Sequence, residues 1–278
     1  MKKSAILIFI ASTNLMAADN VVSEPYDAKP MIEGNRRVDE IAEWDRLHPG
    51  VMHPLTEQEK YEFFTKNGYP LPGTGATVVN KTEFTFTKEQ SAVVNKFNLE
   101  QKTKGYYEIA NKHAVLLLAM PETAENEYNE RKLIPRKLTD THLYEVLSDM
   151  PLKFKFKGVP KKLSTKIIGY APEHSFVDNG WTGAIEFFVP SFGGVCAYHA
   201  ISIELTQTSA YIPREIATHQ VNNKLTTINV MGSQETGFVY EVEWWDKKFK
   251  QTLECASREY SEDIKAETVR LASLIDKA

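Results

Sequence analysis

Phe238, Tyr240, Val242 and Trp244 alternate with other residues up to Asp246-Lys247, and Phe249, Leu253 and Cys255 return on the far side. A period of two sets every second side chain on one face, so this stretch reads as a β-hairpin with a buried face. With Asp246-Lys247 as a two-residue loop, Trp244 faces Phe249, Glu243 faces Lys250, Tyr240 faces Leu253 and Phe238 faces Cys255. Apolar then meets apolar and charge meets opposite charge, as a consistent register requires. Asp-Lys is not a favoured primed-turn pair, which leaves a longer loop open.

The same alternation begins at Pro151. Leu152, Phe154 and Phe156 alternate with lysines, Ile167 and Ile168 lead to Tyr170, and the runs Gly183 to Val189, Val195 to Leu205 and Leu225 to Met231 read as further strands. Before Pro151 the spacing is mostly helical. Val38, Ile41, Trp44 and Leu47 are helically spaced and His48-Pro49-Gly50 stops them, while Thr56 caps a second short helix that ends at Asn67-Gly68. Thr82 to Thr87 reads as a strand and Lys88 to Leu99 as a helix. The run Tyr106 to Met120 fits a helix or, from His113, a buried strand, and the strand is favoured. Glu122 to Arg131 is too polar to form core, and Thr139 or Asp140 caps a helix reaching Met150. A last helix opens at Ser261, where Glu262 and Asp263 complement its positive end, and it carries Ile264, Leu271 and Ile275 along one face.

This order predicts an α+β fold, with N-terminal helices followed by a curled antiparallel meander sheet of six to seven strands closed by a C-terminal helix. The expected organisation is a signal peptide at 1–18, an extended arm and helical hairpin at 19–77, and the sheet domain at 78–278. By analogy of architecture alone, a sheet curled around a helix leaves a cavity between them, as in helix-grip ligand binders.

Lys2 and Lys3, an apolar run from Ala5 to Met16, and Ala17-Ala18 before Asp19-Asn20 give the layout of an export signal. That run is about a dozen residues and a spanning helix needs ~20, so no transmembrane segment is expected in the mature chain. The short signal with its Lys-Lys start favours the periplasm over secretion to the outside. At 42% hydrophobic and 25% charged residues the chain excludes extended disorder. Thirty-three basic against 37 acidic residues give −4, which disfavours nucleic acid as a partner. The densest basic stretch, Lys153, Lys155, Lys157, Lys161 and Lys162, reads as a solvated strand face that shields an edge, or as a small patch for anions.

Cys196 and Cys255 are the only cysteines, and an even count in an oxidising compartment points to a disulfide. The competing reading pairs Cys196 with His199 as nucleophile and base, although residues three apart on a strand point to opposite faces. None of the seven histidines falls in a two-histidine zinc motif, and no metal or cofactor is expected. His48 and His53 could clamp a metal across the Pro-Gly turn with Asp45 or Glu57 as a third ligand, but the segment reads as a proline-punctuated turn. His199 shares a face with Ile201, Ile203 and Leu205 and reads as a core histidine bonded to backbone. Glu173, His174 and Asp178 lie in a loop expected from Pro172 to Gly180, beside Trp181, and are the catalytic candidates. Trp181, Trp244 and Trp245 are the binding candidates, since adjacent Trp244 and Trp245 point to opposite faces. No phosphate loop, serine elbow or singled-out carboxylate pair occurs. The chain is therefore expected to be an exported, non-enzymatic protein that binds a partner protein or an apolar small ligand. The alternatives are a motif-poor hydrolase with its site at 172–181, or an accessory subunit of a cell-envelope complex.

Overall fold

A computed structural model describes residues 75–79, 88–131, 141–206 and 208–278. The signal peptide, the arm, the helical hairpin with its His48/His53 turn, the Thr82–Thr87 strand and the Thr139/Asp140 cap lie outside the described residues.

In chain order the elements are β1 (Gly75–Val79), α1 (Lys88–Lys104), β2 (Tyr107–Glu108), α2 (Lys112–Arg131), β3 (Ser164–Val177), β4 (Gly180–Pro190), β5 (Val195–Ser202), α3 (Ile203–Thr206), β6 (Ser209–Pro213), β7 (Leu225–Ser233), β8 (Gly237–Trp245), β9 (Phe249–Ser257) and α4 (Glu262–Asp276). The fold is α+β. Seven strands form one open sheet in the order β2-β7-β8-β9-β5-β4-β3, and β1 pairs with β6 in a separate two-stranded sheet.

The expected single meander is corrected to two. β3-β4-β5 and β7-β8-β9 are each antiparallel meanders, and antiparallel pairing of β5 with β9 joins them. The sheet is also mixed, because β2 adds to β7 in parallel. The return from β5 to β7 passes through α3 and β6 instead of a hairpin, which frees β9 to take the place beside β5.

The hairpin register slides by two positions from the one expected. Trp245 faces Lys250, Trp244 faces Gln251, Tyr240 faces Cys255 and Phe238 faces Ser257. Asp246 is the cause: its Oδ1 accepts from Lys248 N at 2.7 Å and Phe249 N at 2.8 Å, an Asx turn that needs the wider loop. A slip of two returns each side chain to the same face, so the buried set is unchanged.

Four further expectations are corrected. The Phe154/Phe156 alternation is no strand; its one ladder contact with the sheet is an isolated bridge from Leu152 to Trp181, and the two phenylalanines pack on the sheet's face instead. His113 to Met120 is helical, and α2 continues through Glu122 to Arg131. Asn111 starts that helix as its cap, its Oδ1 accepting from His113 N and Ala114 N. The polar half of α2 does reach the core: Ala124 is buried, Tyr128 Oη donates to Ile168 O at 2.8 Å, and Glu127 accepts from Leu143 N at 2.8 Å. Finally, the helix expected to reach Met150 is, over residues 141–150, an irregular segment with one turn of 3₁₀ helix at Leu147–Asp149.

The two sheet faces carry different chemistry. On the first, Phe188, Cys196, Tyr198, Val242, Trp244, Leu253 and Cys255 pack against Leu271, Ala272 and Ile275 of α4 and against Tyr144, Met150, Phe156 and Val159. Ser261 caps α4 as expected, accepting from Asp263 N. At the far end of α4, Asp276 Oδ1 accepts from Trp244 Nε1 at 2.9 Å and from Lys224 Nζ at 2.5 Å, which ties the helix to β8. On the second face, α2 covers one end through Leu117 and Ala124 over Phe187, Val195, Ala197 and Ala256. At the other end Ile203, Ile212 and Trp245 form a smaller cluster with β1 and β6 residues.

Candidate functional site

Between those two apolar patches the second face carries a band of charge. The register brings Glu241 opposite Glu254, Glu243 opposite Thr252, Asn229 opposite Glu241 and His199 opposite Thr252. Glu241, Glu243 and Glu254 are all buried. Three buried carboxylates and a fourth partly buried one are tolerated only with paired charges and hydrogen bonds.

Glu173 on β3 is the fourth. Its Oε1 lies 3.1 Å from His199 Nδ1, although β4 stands between the two strands. Gly183, the β4 residue paired with Glu173, makes this reach possible: a methyl there would sit 2.9 Å from Glu173 O and 3.2 Å from Glu173 Cβ. On its other side His199 Nε2 lies 3.3 Å from Glu254 Oε2. The same Glu254 oxygen is 2.7 Å from Nε2 of His113, delivered by the first turn of α2. Farther along, Lys250 Nζ meets Glu243 Oε2 at 2.8 Å, and Trp245 Nε1 donates to Glu243 Oε1 at 2.8 Å. Asn229 Nδ2 donates to Glu241 Oε1 at 3.1 Å.

The electrostatics follow from this geometry. Burial alone pulls the His199 imidazole down, but Glu173 and Glu254 outweigh it and hold the ring protonated well above the ordinary histidine range. The bond to Glu254 raises His113 in the same direction. Burial pushes Glu254 up, yet its two imidazole partners overcome that and keep it ionised. Glu241 is pushed up by burial and then by the charges of Glu254 and Glu243. His199 is therefore not bonded to backbone, as the sequence suggested, but clasped between two carboxylates.

The catalytic candidates separate. Glu173 belongs to the band. His174 follows it on a β-bulge, with φ 68°, and its Nδ1 lies 3.0 Å from Ser175 Oγ; burial lowers its pKa. Asp178 is remote from the band, with Asn179 in a left-handed two-residue turn, and lies 3.8 Å from Lys153 Nζ in solvent. The expected loop from Pro172 to Gly180 is thus strand, bulge and tight turn. Trp181, Trp244 and Trp245 are all buried, at 1%, 0% and 5% exposure. Trp181 packs edge-on to Phe176, Trp244 lies parallel to Tyr198, and Lys250 sits over the Trp245 ring.

Sequence reasoning missed Glu241, Glu243, Glu254 and Lys250 as members of a site, as well as the pairing of His113 with His199. One signal was available on β8, where Glu241 and Glu243 alternate with the apolar Tyr240, Val242 and Trp244. Cys196 and Cys255 form a buried disulfide, which removes the thiol nucleophile. Among the described residues no cluster of His, Cys, Asp or Glu is arranged to hold a metal ion, and no helix is long and apolar enough to cross a membrane.

A separate buried acid lies on the first face. Glu186 Oε2 accepts from Val159 N at 2.7 Å, and burial pushes its pKa up to about 7. Gly158 lets the chain approach it, with φ 68° and no Cβ to collide with the carboxylate. Because the folded pKa is raised, the cost is absent below the unfolded value and complete above about pH 7. Glu186→Gln keeps an acceptor for Val159 N and removes the charge. Urea melts are expected to show it more stable than wild type by roughly 1–3 kcal/mol at pH 8 and nearly equal at pH 4.

Comparison with protein-family models, curated proteins and solved structures yields no match to this chain.

Proposed function

We propose that this chain is a non-enzymatic exported protein that binds a partner protein or a small ligand. The observation that carries this reading is the clasp on His199 by Glu173 and Glu254, at 3.1 and 3.3 Å. A general base needs a free lone pair near the working pH. An imidazole between a buried carboxylate and a partly buried one stays protonated and serves as a cross-link between strands. The bridged cysteines add support, since no thiol remains to act as nucleophile. Export is supported by that disulfide, which persists in oxidising compartments, and by the Lys-Lys, apolar and Ala-Ala order of the N-terminus, whose short form favours the periplasm.

The test is native mass spectrometry of the protein purified from its exported compartment, followed by denaturation. The expected result is a non-covalent adduct or a stoichiometric partner that leaves on denaturation. A clean monomer that turns over an ester, amide or glycoside, with turnover abolished by Glu173→Gln, would overturn the reading in favour of a hydrolase. That second reading has its own support: the convergence of Glu173 with His199 beside a bulge, the kind of backbone irregularity that re-aims side chains at active sites.

A further inference from the structure

We propose that the lysine-rich segment between residues 153 and 166 is a docking surface for an anionic lipid bilayer. Lys153, Lys155, Lys157, Lys161, Lys162 and Lys166 are all exposed, and no aspartate or glutamate occurs from residue 150 to 172. Only Lys153 has an ion-pair partner among the described residues, the exposed Asp178 at 3.8 Å. A chain with a net charge of −4 thus concentrates six lysines in 14 residues, five of them with no ion-pair partner among the described residues.

The strip is held rigidly from below. Phe154 packs on Phe249 with ring centroids 5.5 Å apart, and Phe156 stacks on Tyr198 at 5.6 Å. Lys153 N donates to Trp181 O at 3.0 Å, Val159 N to Glu186 Oε2 at 2.7 Å, and Leu163 N to Pro160 O at 2.8 Å. With the phenylalanines turned to the sheet, the alternating lysines turn to solvent. Edge protection accounts for Lys166 alone, which lies on the edge strand β3; from Lys153 to Lys162 the segment is not a sheet strand, so its five lysines have no ladder edge to guard.

The residue type selects the partner. All six cations are lysine, a hydrated point charge on a flexible stem, which suits the diffuse potential of a headgroup layer. Arginine, the residue of bidentate phosphate and nucleic-acid contacts, is absent from the strip. Clusters of this size are drawn to anionic bilayers. This inference is independent of the charged band on the second face, and its failure leaves the binding-protein reading intact.

The experiment is partitioning of the full chain onto vesicles of equal phosphatidylcholine and phosphatidylglycerol, compared with pure phosphatidylcholine. Two triple variants of equal charge change are run beside it: Lys155→Gln/Lys157→Gln/Lys161→Gln in the strip, and Lys247→Gln/Lys248→Gln/Lys277→Gln elsewhere. Wild type is expected to prefer the anionic vesicles and to lose that preference in ~0.5 M salt. The strip variant is expected to weaken anionic binding about 100-fold, and the control variant by less than about threefold. Equal losses in the two variants, or no preference for anionic vesicles, would overturn the proposal. So would tight binding to polyglutamate without vesicle binding, which would assign the strip to a soluble polyanion.

Discussion

Glu254→Gln is expected to cost roughly 3–5 kcal/mol of folding stability near pH 6, although it preserves the side chain's volume. Glu254 Oε2 lies 2.7 Å from His113 Nε2 and 3.3 Å from His199 Nε2, and the substitution leaves these two partly buried imidazoles facing an amide. The pH dependence has a definite sign. His113 is raised, so its contribution is complete below the unfolded histidine pKa and is lost as pH rises through the folded one. Glu254 is lowered, so its contribution is present above the unfolded carboxylate pKa and is lost as pH falls through the folded one. The deficit of the variant is therefore largest in mildly acidic solution and shrinks as the solution becomes alkaline. Urea denaturation at pH 6 and pH 9 checks this; equal deficits at both, or a loss under 1 kcal/mol, would show that the clasp contributes nothing as an ionic unit.

Removing the disulfide is expected to have a similar effect. Cys196 and Cys255 are separated by 59 residues and face one another across β5 and β9, the seam that joins the two meanders. Closing a loop of that length restricts the unfolded chain by about 4 kcal/mol. The double variant Cys196→Ala/Cys255→Ala is expected to melt about 10 °C lower than the oxidised protein, read by calorimetry. Both sulfurs are buried, so reductant is expected to leave the folded protein intact and to act after partial unfolding. Intact mass should rise by about two daltons when the denatured chain is reduced. A double variant that melts with wild type would mean that the seam is held by its hydrogen bonds and side chains alone.

The C-terminal hairpin and α4 were legible because their signals are local. Alternation at Phe238, Tyr240, Val242 and Trp244 sets a buried face whatever else the chain does, and Ser261 before Glu262-Asp263 is a complete helix start. α2 was misread for the same reason. Val115 to Met120 alone is as good a strand as a helix, and what settles it is Asn111, whose Nδ2 donates to Met231 O and whose N–H donates to Thr236 Oγ1. Those are contacts across more than a hundred residues, and no window of sequence contains them.

The same division runs through the candidate site. Glu173 and His174 drew notice as neighbours in sequence, yet the structure sends Glu173 to His199 and turns His174 toward Ser175. The sequence groups His199 with Ile201, Ile203 and Leu205, of which the last two lie on α3, whereas its partners come from β3 and β9. The sequence by itself determined the α+β class, the strand half with its final helix, and the cysteine pair, because periodicity, capping and an even cysteine count are properties of short segments and of totals. The tertiary structure alone decided the joining of two meanders at β5 and β9, the two-residue slip at Asp246, and the meeting of Glu173, His199, Glu254 and His113. Those depend on which strands lie side by side, and pairing energy summed over a whole sheet selects them.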